Sequence, residues 1–134
     1  MANYVDIEVA EPLKGVGFDE PVSKFWFKFG NSWIESDSGN IANYNSCAPL
    51  ERFISKPSYD EVIHLFREKK GVCVFIEPGR FDMKGKWVPL IVDLPTTDLI
   101  FYGLDSTVFD SYTEAQLVGI REAINHLKKI EAKI

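Results

Sequence analysis

The alternation of apolar and polar positions predicts three helices and five strands along the chain. Apolar residues that recur three or four positions apart indicate a helix, whereas short β-branched and aromatic runs are typical of strands. The predicted helices span residues 6–16, 58–70 and 111–134. The predicted strands comprise the two arms of a hairpin over residues 23–36 and the segments 72–77, 86–93 and 98–104.

The hairpin over residues 23–36 is the clearest local signal. An aromatic run is followed by Gly30-Asn31, a favoured two-residue turn, and then by a second short run. Because cross-strand partners share a side of the sheet, this turn divides the hairpin into two sides. The apolar side, predicted to be core, consists of Phe25, Phe27, Phe29 and Ile34. The mixed side consists of Trp26, Lys28, Trp33 and Glu35.

The two later helices begin with capping-box sequences. Ser58 is followed by Glu61, and Ser111 by Glu114, so each pair can satisfy free N–H groups at a helix start. Gly71 is predicted to end the helix over residues 58–70. The last helix has an apolar stripe that consists of Leu117, Ile120, Ala123, Ile124, Leu127, Ile130 and Ile134.

The order of elements predicts an α+β domain in two layers, with helices on one face of a largely antiparallel sheet. The connections after residue 72 are too short for crossover helices, so those strands should pair as an antiparallel meander. Pro89 places its strand at an edge or at a bulge, and residues 36–48 are predicted to be a polar loop. We expect one domain over residues 1–134, in which residues 56–134 form a helix-strand-strand-strand-helix unit. Residues 1–55 either extend its sheet or form a subdomain.

Composition and charge narrow the class of protein. The chain has 134 residues, of which 46% are hydrophobic and 26% charged, as in ordinary globular domains. No apolar run approaches the roughly 20 residues that cross a bilayer, and no secretory signal is visible. The net charge of −5 is spread along the chain without a strongly basic segment. Phosphate binding needs a basic patch, so nucleic acid is not an expected partner. Without a long apolar run, no membrane association is expected either.

Three phrases in the chain resemble a group of small phage proteins. They are IEVAEPLKGVGFDEPV, SYDEVIHLFREKKGV and FDSYTEAQLVGIREAINHLKK. They are similar to segments of small uncharacterised proteins encoded by phages and prophages of gut Bacteroidetes, which pair a "WFREKHG"-like helix end with a "YEEA…A…AL" terminal helix. The resemblance implies a protein that acts in a bacterial cytoplasm, and it carries no known activity.

A second resemblance concerns topology alone. The order helix, three strands, helix over residues 58–130 resembles that of double-stranded-RNA-binding domains, which place basic residues at the start of the final helix. Here that position reads Asp110-Ser111-Tyr112-Thr113-Glu114, and the first basic residue after it is Arg121. RNA binding by this route is therefore an alternative without its usual binding surface.

Residues with catalytic or metal-binding chemistry form no recognisable set. His64 and His126 lie on predicted helices without an accompanying nucleophile motif. Cys73 lies in an apolar strand and is predicted to be a buried thiol, whereas Cys47 lies in a polar segment. The GVGF segment at residues 15–18 lacks the third glycine of a dinucleotide-binding loop. We therefore assign no catalytic, cofactor-binding or metal-binding residue, and no cofactor.

The mixed side of the hairpin is the remaining candidate. Either a neighbouring element covers its tryptophans, or the side is an exposed patch that binds a protein partner or a second copy. The predicted partner-binding residues are Trp26, Lys28, Trp33 and Glu35. The leading hypothesis is a non-enzymatic protein-interaction module of phage or mobile-element origin. The alternatives are a small enzyme or ligand-binding domain with an unrecognised pocket, and a nucleic-acid-binding protein.

Overall fold

The computed structural model describes residues 3–79, 85–103 and 109–132. Within these ranges, three α-helices and two three-stranded antiparallel sheets make an α+β fold, as predicted. The chain divides into two compact units, Met1–Glu61 and Val62–Ile134. Each unit contains one of the sheets, so the N-terminal hairpin does not extend the sheet of the C-terminal half.

The first unit contains a helix and a sheet of three strands. Helix α1, Ile7–Gly15, begins after Asp6, whose carboxylate accepts a hydrogen bond from the Val9 N–H at 3.2 Å. Such a cap satisfies one of the free N–H groups of the first turn. The strands are β1 (Val22–Phe29), β2 (Ser32–Ala42) and β3 (Phe53–Ser55), in the order β2-β1-β3. The short strand β3 was not predicted from the sequence.

The predicted register of the hairpin is confirmed. The cross-strand pairs are Phe29 with Ser32, Lys28 with Trp33, Phe27 with Ile34, and Trp26 with Glu35. Gly30 occupies the first turn position with φ of +63°. A type II′ turn requires this conformation there, and glycine adopts it without strain.

Strand β2 is longer than predicted, because it continues to Ala42. The prediction of a loop over residues 36–48 is therefore wrong for its first half. The register shifts at a bulge after Asp37, where the Gly39 N–H donates to the Asp37 carboxylate at 3.1 Å. Small polar residues form a strand here because β2 is an edge strand that is exposed to water along most of its length.

The predicted helix over residues 58–70 has two parts. Helix α2 spans Tyr59–Leu65, and a π-helical turn over residues 66–70 leads to Gly71, which ends the helix with φ of +67°. The predicted capping box is present. The Ser58 N–H donates to the Glu61 carboxylate at 2.9 Å, and the Glu61 N–H donates to the Ser58 hydroxyl at 3.1 Å.

The second unit contains the other sheet and the longest helix. Its elements are β4 (Val72–Pro78), β5 (Trp87–Asp93), β6 (Asp98–Tyr102) and α3 (Tyr112–Ala132). The strands form an antiparallel meander in the order β4-β5-β6, as predicted. The predicted strand end Leu104 and the last stripe residue Ile134 lie outside the described residues.

Pro89 lies in the central strand of this sheet, so the prediction of an edge strand is wrong. It is paired with Ile76 of β4, and the irregularity of the ladder with β6 falls between Ile91 and Val92 instead. On the β6 side, Gly103 lies against the proline ring. A Cβ at Gly103 would come within 2.9 Å of the Pro89 Cδ. The absence of a side chain at Gly103 therefore gives the ring the room that it needs inside a sheet.

Helix α3 packs on β4 and β5. The helix lies close to the sheet at Gly119, where an added Cβ would come within 2.6 Å of the Val74 Cγ1. The buried stripe residues of α3 are Ile120, Ala123, Ile124 and Leu127. The stripe ends there because Ile130, which was predicted to continue it, is exposed. Within the described residues, neither α3 nor a shorter helix has the length and apolar character needed to cross a bilayer.

Candidate functional site

The four residues predicted to bind a partner lie together on one side of the β1–β2 hairpin. Trp26 is paired with Glu35, and Lys28 is paired with Trp33. The Lys28 Nζ lies 5.7 Å from the centroid of the Trp33 ring, which is a cation–π contact. The sequence-derived grouping is therefore present, and its role in binding stays a prediction.

Trp26 is half-buried under two neighbours. Its indole N–H donates to the Val5 carbonyl at 3.3 Å. The Lys56 Nζ lies 4.9 Å from the centroid of the ring. The N-terminal segment and the residue that follows β3 thus cover this tryptophan, whereas Trp33, also half-buried, has Lys28 over it.

Two salt bridges link β2 to lysines of the neighbouring segments on the same side of the sheet. Lys56 donates a hydrogen bond to the Glu35 carboxylate, and Lys24 donates to the Asp37 carboxylate at 3.3 Å. The Lys24 Nζ also lies 4.8 Å from the Tyr4 ring. We call this surface the cation–aromatic face, and it consists of Tyr4, Lys24, Trp26, Lys28, Trp33, Glu35, Asp37 and Lys56.

The geometry of the cation–aromatic face holds two carboxylates in place and ionised. The hydrogen bond and the charge of Lys56 lower the pKa of Glu35. The Gly39 backbone N–H, and after it Lys24, lower the pKa of Asp37. Both side chains remain accessible, at 64% and 47% exposure. Because water screens exposed ion pairs of this kind, their main effect is to position the charges.

An open depression lies on the same face. It has a volume of about 260 Å³ and is lined by Lys24, Glu35, Ser36, Asp37 and Lys56. The two lysines of the lining pair with its two carboxylates. Small-molecule sites are typically about 300–1,000 Å³ and mostly apolar. The depression differs from such sites in both size and polarity.

The other side of the hairpin is more exposed than predicted. Phe29 is 69% and Ile34 is 48% exposed, and Phe27 is half-buried. The prediction that this side is core is therefore wrong at the end nearest the turn. We call the surface formed by Phe27, Phe29 and Ile34 the hairpin apolar patch.

Cover on this side is limited to the end away from the turn. Tyr44 stacks on Phe25 with ring centroids 4.2 Å apart. Phe53 of β3 lies 5.8 Å from Phe25 and 5.2 Å from Phe27, measured between ring centroids. Because β3 has only three residues, its ladder with β1 ends opposite Phe27, and Phe29 beyond that point is exposed.

Sequence reasoning missed half of the cation–aromatic face. Lys24 and Asp37 could have been found, because they share the period-two alternation of Trp26 and Glu35 along the two strands. Tyr4 and Lys56 carry no local signal. They reach the face through contacts that join segments distant in the sequence.

The other residues that were considered for chemistry lie outside the hairpin in the sequence. The His64 Nδ1 is 3.1 Å from the Arg67 Nη2 on an exposed face of α2 and the turn after it. The His126 Nε2 is buried and has no hydrogen-bond partner among the described residues. Cys73 is a buried free thiol, as predicted, and Cys47 is a half-buried one. Nowhere in the described ranges do three or more His, Cys, Asp or Glu side chains form a group that could hold a metal ion.

Comparison with known proteins gives no further guide. The chain matches no protein-family model, no curated protein and no solved structure.

Proposed function

We propose that this protein is a non-enzymatic protein-interaction module that binds its partner through the β1–β2 hairpin. The hairpin presents the hairpin apolar patch on one side and Lys28, Trp33 and Glu35 on the other. Trp26 supports this second side from beneath Lys56. The partner is another protein that contacts apolar and charged groups together.

The observation that supports this proposal most strongly is the exposure of Phe29 and Ile34. They extend the row of apolar side chains of the sheet beyond the point where Tyr44 and Phe53 cover it. Contiguous apolar surface on a soluble domain is typical of an interaction site. Aromatic side chains beside charged ones are also the composition found at the centre and rim of protein interfaces.

The resemblance to phage and prophage proteins supports a setting for this module. We infer that it acts in the cytoplasm of a bacterial host, as an accessory protein of a phage or mobile element. This inference depends on the sequence phrases alone, and the hairpin geometry is independent of it.

Affinity capture from Bacteroidetes lysates tests the proposal when two matched variants are compared. Phe29→Ser/Ile34→Ser removes the hairpin apolar patch, whereas Phe75→Ser/Leu99→Ser removes one phenylalanine and one aliphatic residue exposed on the other sheet. We expect a protein that the native chain and the second variant capture and the first variant loses. Loss in both variants, or in neither, contradicts a site on the hairpin.

A further inference from the structure

Strand β2 offers an open edge as well as exposed side chains. It is the outermost strand of the order β2-β1-β3, and within the described residues its only strand partner is β1. Eleven residues, Ser32–Ala42, make it the longest strand described, and most of them are exposed. An unpaired edge of this length is a template for the addition of another strand.

The register shows which backbone groups point outward. The pair that closes a two-residue hairpin turn is hydrogen-bonded, and hydrogen-bonded pairs alternate with non-bonded pairs along an antiparallel ladder. Phe29 with Ser32 is that closing pair. The N–H and C=O groups of Trp33, Glu35 and Asp37 therefore point away from β1, toward the open edge. The Lys56 N–H donates to the Lys24 carbonyl on the opposite edge of β1, which agrees with this alternation.

The side chains along the same edge differ in chemistry between the two faces of the sheet. Glu35 and Asp37 lie two residues apart on the cation–aromatic face, while Ile34 lies between Trp33 and Glu35 on the hairpin apolar patch. The strand itself contains no lysine or arginine. Lys24 and Lys56, which bind the two carboxylates, lie on the inner side and leave the outer side of the carboxylates exposed.

A second copy of this strand fits the edge poorly. Pairing β2 with β2 would bring acidic side chains together on one face with no base on either strand, and like charges opposite each other destabilise a sheet. Basic side chains at alternate positions of an added strand would instead lie opposite Glu35 and Asp37. The residues between them would lie on the face of Ile34 and Phe29, where apolar side chains complete the patch.

We propose that the edge of β2 binds an extended segment of a partner protein, in which lysine or arginine alternates with apolar residues, as an added antiparallel strand. This inference rests on the proposed function and specifies its mode. Main-chain hydrogen bonds supply part of the affinity, and the alternating side chains supply the specificity.

Synthetic peptides test the chemistry of the occupant. The probe is a capped heptapeptide that alternates lysine with valine, and its control alternates glutamate with valine. We expect the lysine peptide alone to bind and to slow amide hydrogen exchange at Trp33, Glu35 and Asp37. No binding, equal binding of both peptides, or binding without slowed exchange at these amides contradicts the proposal.

Isosteric variants test the carboxylates. Glu35→Gln/Asp37→Asn keeps the acceptor oxygens that Lys56 and Gly39 use but removes both charges. Since each cross-strand pair has a modest effect, we expect affinity for the lysine peptide to fall by about 2- to 30-fold. The control Glu51→Gln/Asp98→Asn removes two exposed charges elsewhere and should leave affinity unchanged. An equal loss in both variants would show attraction by net charge only and would overturn the strand-addition site.

Methylation of the peptide backbone tests the geometry. When the peptide adds antiparallel to β2, its residues opposite Glu35 and Asp37 direct their side chains to the cation–aromatic face and their N–H groups to β2. Methyl groups on the backbone nitrogens of the lysines should abolish binding. Methyl groups on the backbone nitrogens of the valines should leave binding unchanged. The reverse pattern, or no difference, contradicts antiparallel addition.

The two proposals fail in different ways. In one outcome, a captured partner depends on Phe29 and Ile34 and yet binds the Glu35→Gln/Asp37→Asn variant equally well, without slowing amide hydrogen exchange along β2. That result contradicts strand addition but leaves the interaction module intact. No partner that depends on the hairpin contradicts the module itself.

Discussion

The two sheets share antiparallel pairing and size, but they differ in what covers their central strands. In the second unit, Val88 and Ile91 of β5 are almost completely buried, and α3 packs on this sheet so closely that a Cβ at position 119 would clash with Val74. In the first unit, β1 carries aromatic residues that become more exposed toward the hairpin turn. The central strand of the second sheet is thus covered within its own unit, whereas the hairpin is uncovered at its turn, which is why we propose the hairpin as the interaction surface.

The two units also differ in the interactions that join their segments. The first unit is joined by polar links between segments. Lys14 of α1 donates to the Phe53 carbonyl at 2.9 Å, and the Asn45 side chain bridges the Phe18 carbonyl and the Ser55 N–H. Such links fix loops and short strands without the area that a helix on a sheet buries. They add to the buried apolar side chains of α1 and the segment after it, among them Val9, Leu13 and Phe18, while the end of the hairpin stays uncovered.

Truncating one isoleucine in each sheet should give the largest difference in stability between the two sheets. Ile91 is fully buried in β5, whereas Ile34 is 48% exposed in β2. We expect Ile91→Ala to lower the free energy of unfolding by about 2–5 kcal/mol, because it leaves a cavity. Ile34→Ala should lower it by less than about 1 kcal/mol. Denaturant unfolding measures both, and equal losses would contradict the proposed division of roles.

The polar links of the first unit should respond strongly to one substitution. Asn45→Ala leaves the Phe18 carbonyl and the Ser55 N–H without their side-chain partner, and both residues are buried. Each unsatisfied buried group costs about 1–3 kcal/mol, so we expect the two together to cost at least about 2 kcal/mol. Ser46→Ala, which removes only an exposed hydroxyl contact, is the control. A loss no larger than that of the control would show that these links are not what orders the unit.

The close packing of α3 predicts a smaller effect at Gly119. Alanine there gains about 1 kcal/mol of helix propensity but must displace the stiff Val74 side chain, at a cost of about 1–3 kcal/mol. We expect a net loss of about 1 kcal/mol in the native background. In a Val74→Ala background the same change should be neutral or stabilising. Additive effects in this double-mutant cycle would contradict direct packing between the two residues.

The smallest expected effect concerns the acidic residues of β2. The folded-state pKa values of Glu35 and Asp37 are lowered. The contribution of these carboxylates to folding stability is therefore fully present at pH values above the ordinary carboxyl pKa, and it is lost as the pH falls through the lowered pKa values. In an NMR pH titration, Lys56→Met should raise the pKa of Glu35 toward its ordinary value. Lys24→Met should raise the pKa of Asp37 less, because the Gly39 N–H remains its main cause. Equal rises at both residues would contradict this assignment.

Local patterns predicted much of the fold. The hairpin register follows from a two-residue turn, and the capping box of Ser58 and Glu61 follows from a spacing of three residues. In each case the determining contacts lie within a few residues along the chain. The same holds for the meander of β4, β5 and β6, whose connections are short.

Features that depend on distant segments could not be predicted in this way. Alternation shows which residues share a side of a sheet, but it does not show what covers that side, so Phe29 and Ile34 were assigned to the core. The tolerance of Pro89 in a central strand depends on Gly103 beside it. The position of Lys56 over Trp26 depends on β3, which is too short to give a periodic signal.

The most direct test of the central claim compares two exposed phenylalanines as sites of photo-cross-linking in Bacteroidetes cells. A benzophenone amino acid replaces Phe29 in the hairpin or Phe75 in the second sheet, both of which are exposed. We predict a discrete cross-linked protein from position 29 that Ile34→Ser weakens, and none from position 75. A discrete product from position 75 with none from position 29 would contradict the assignment of the hairpin as the interaction surface.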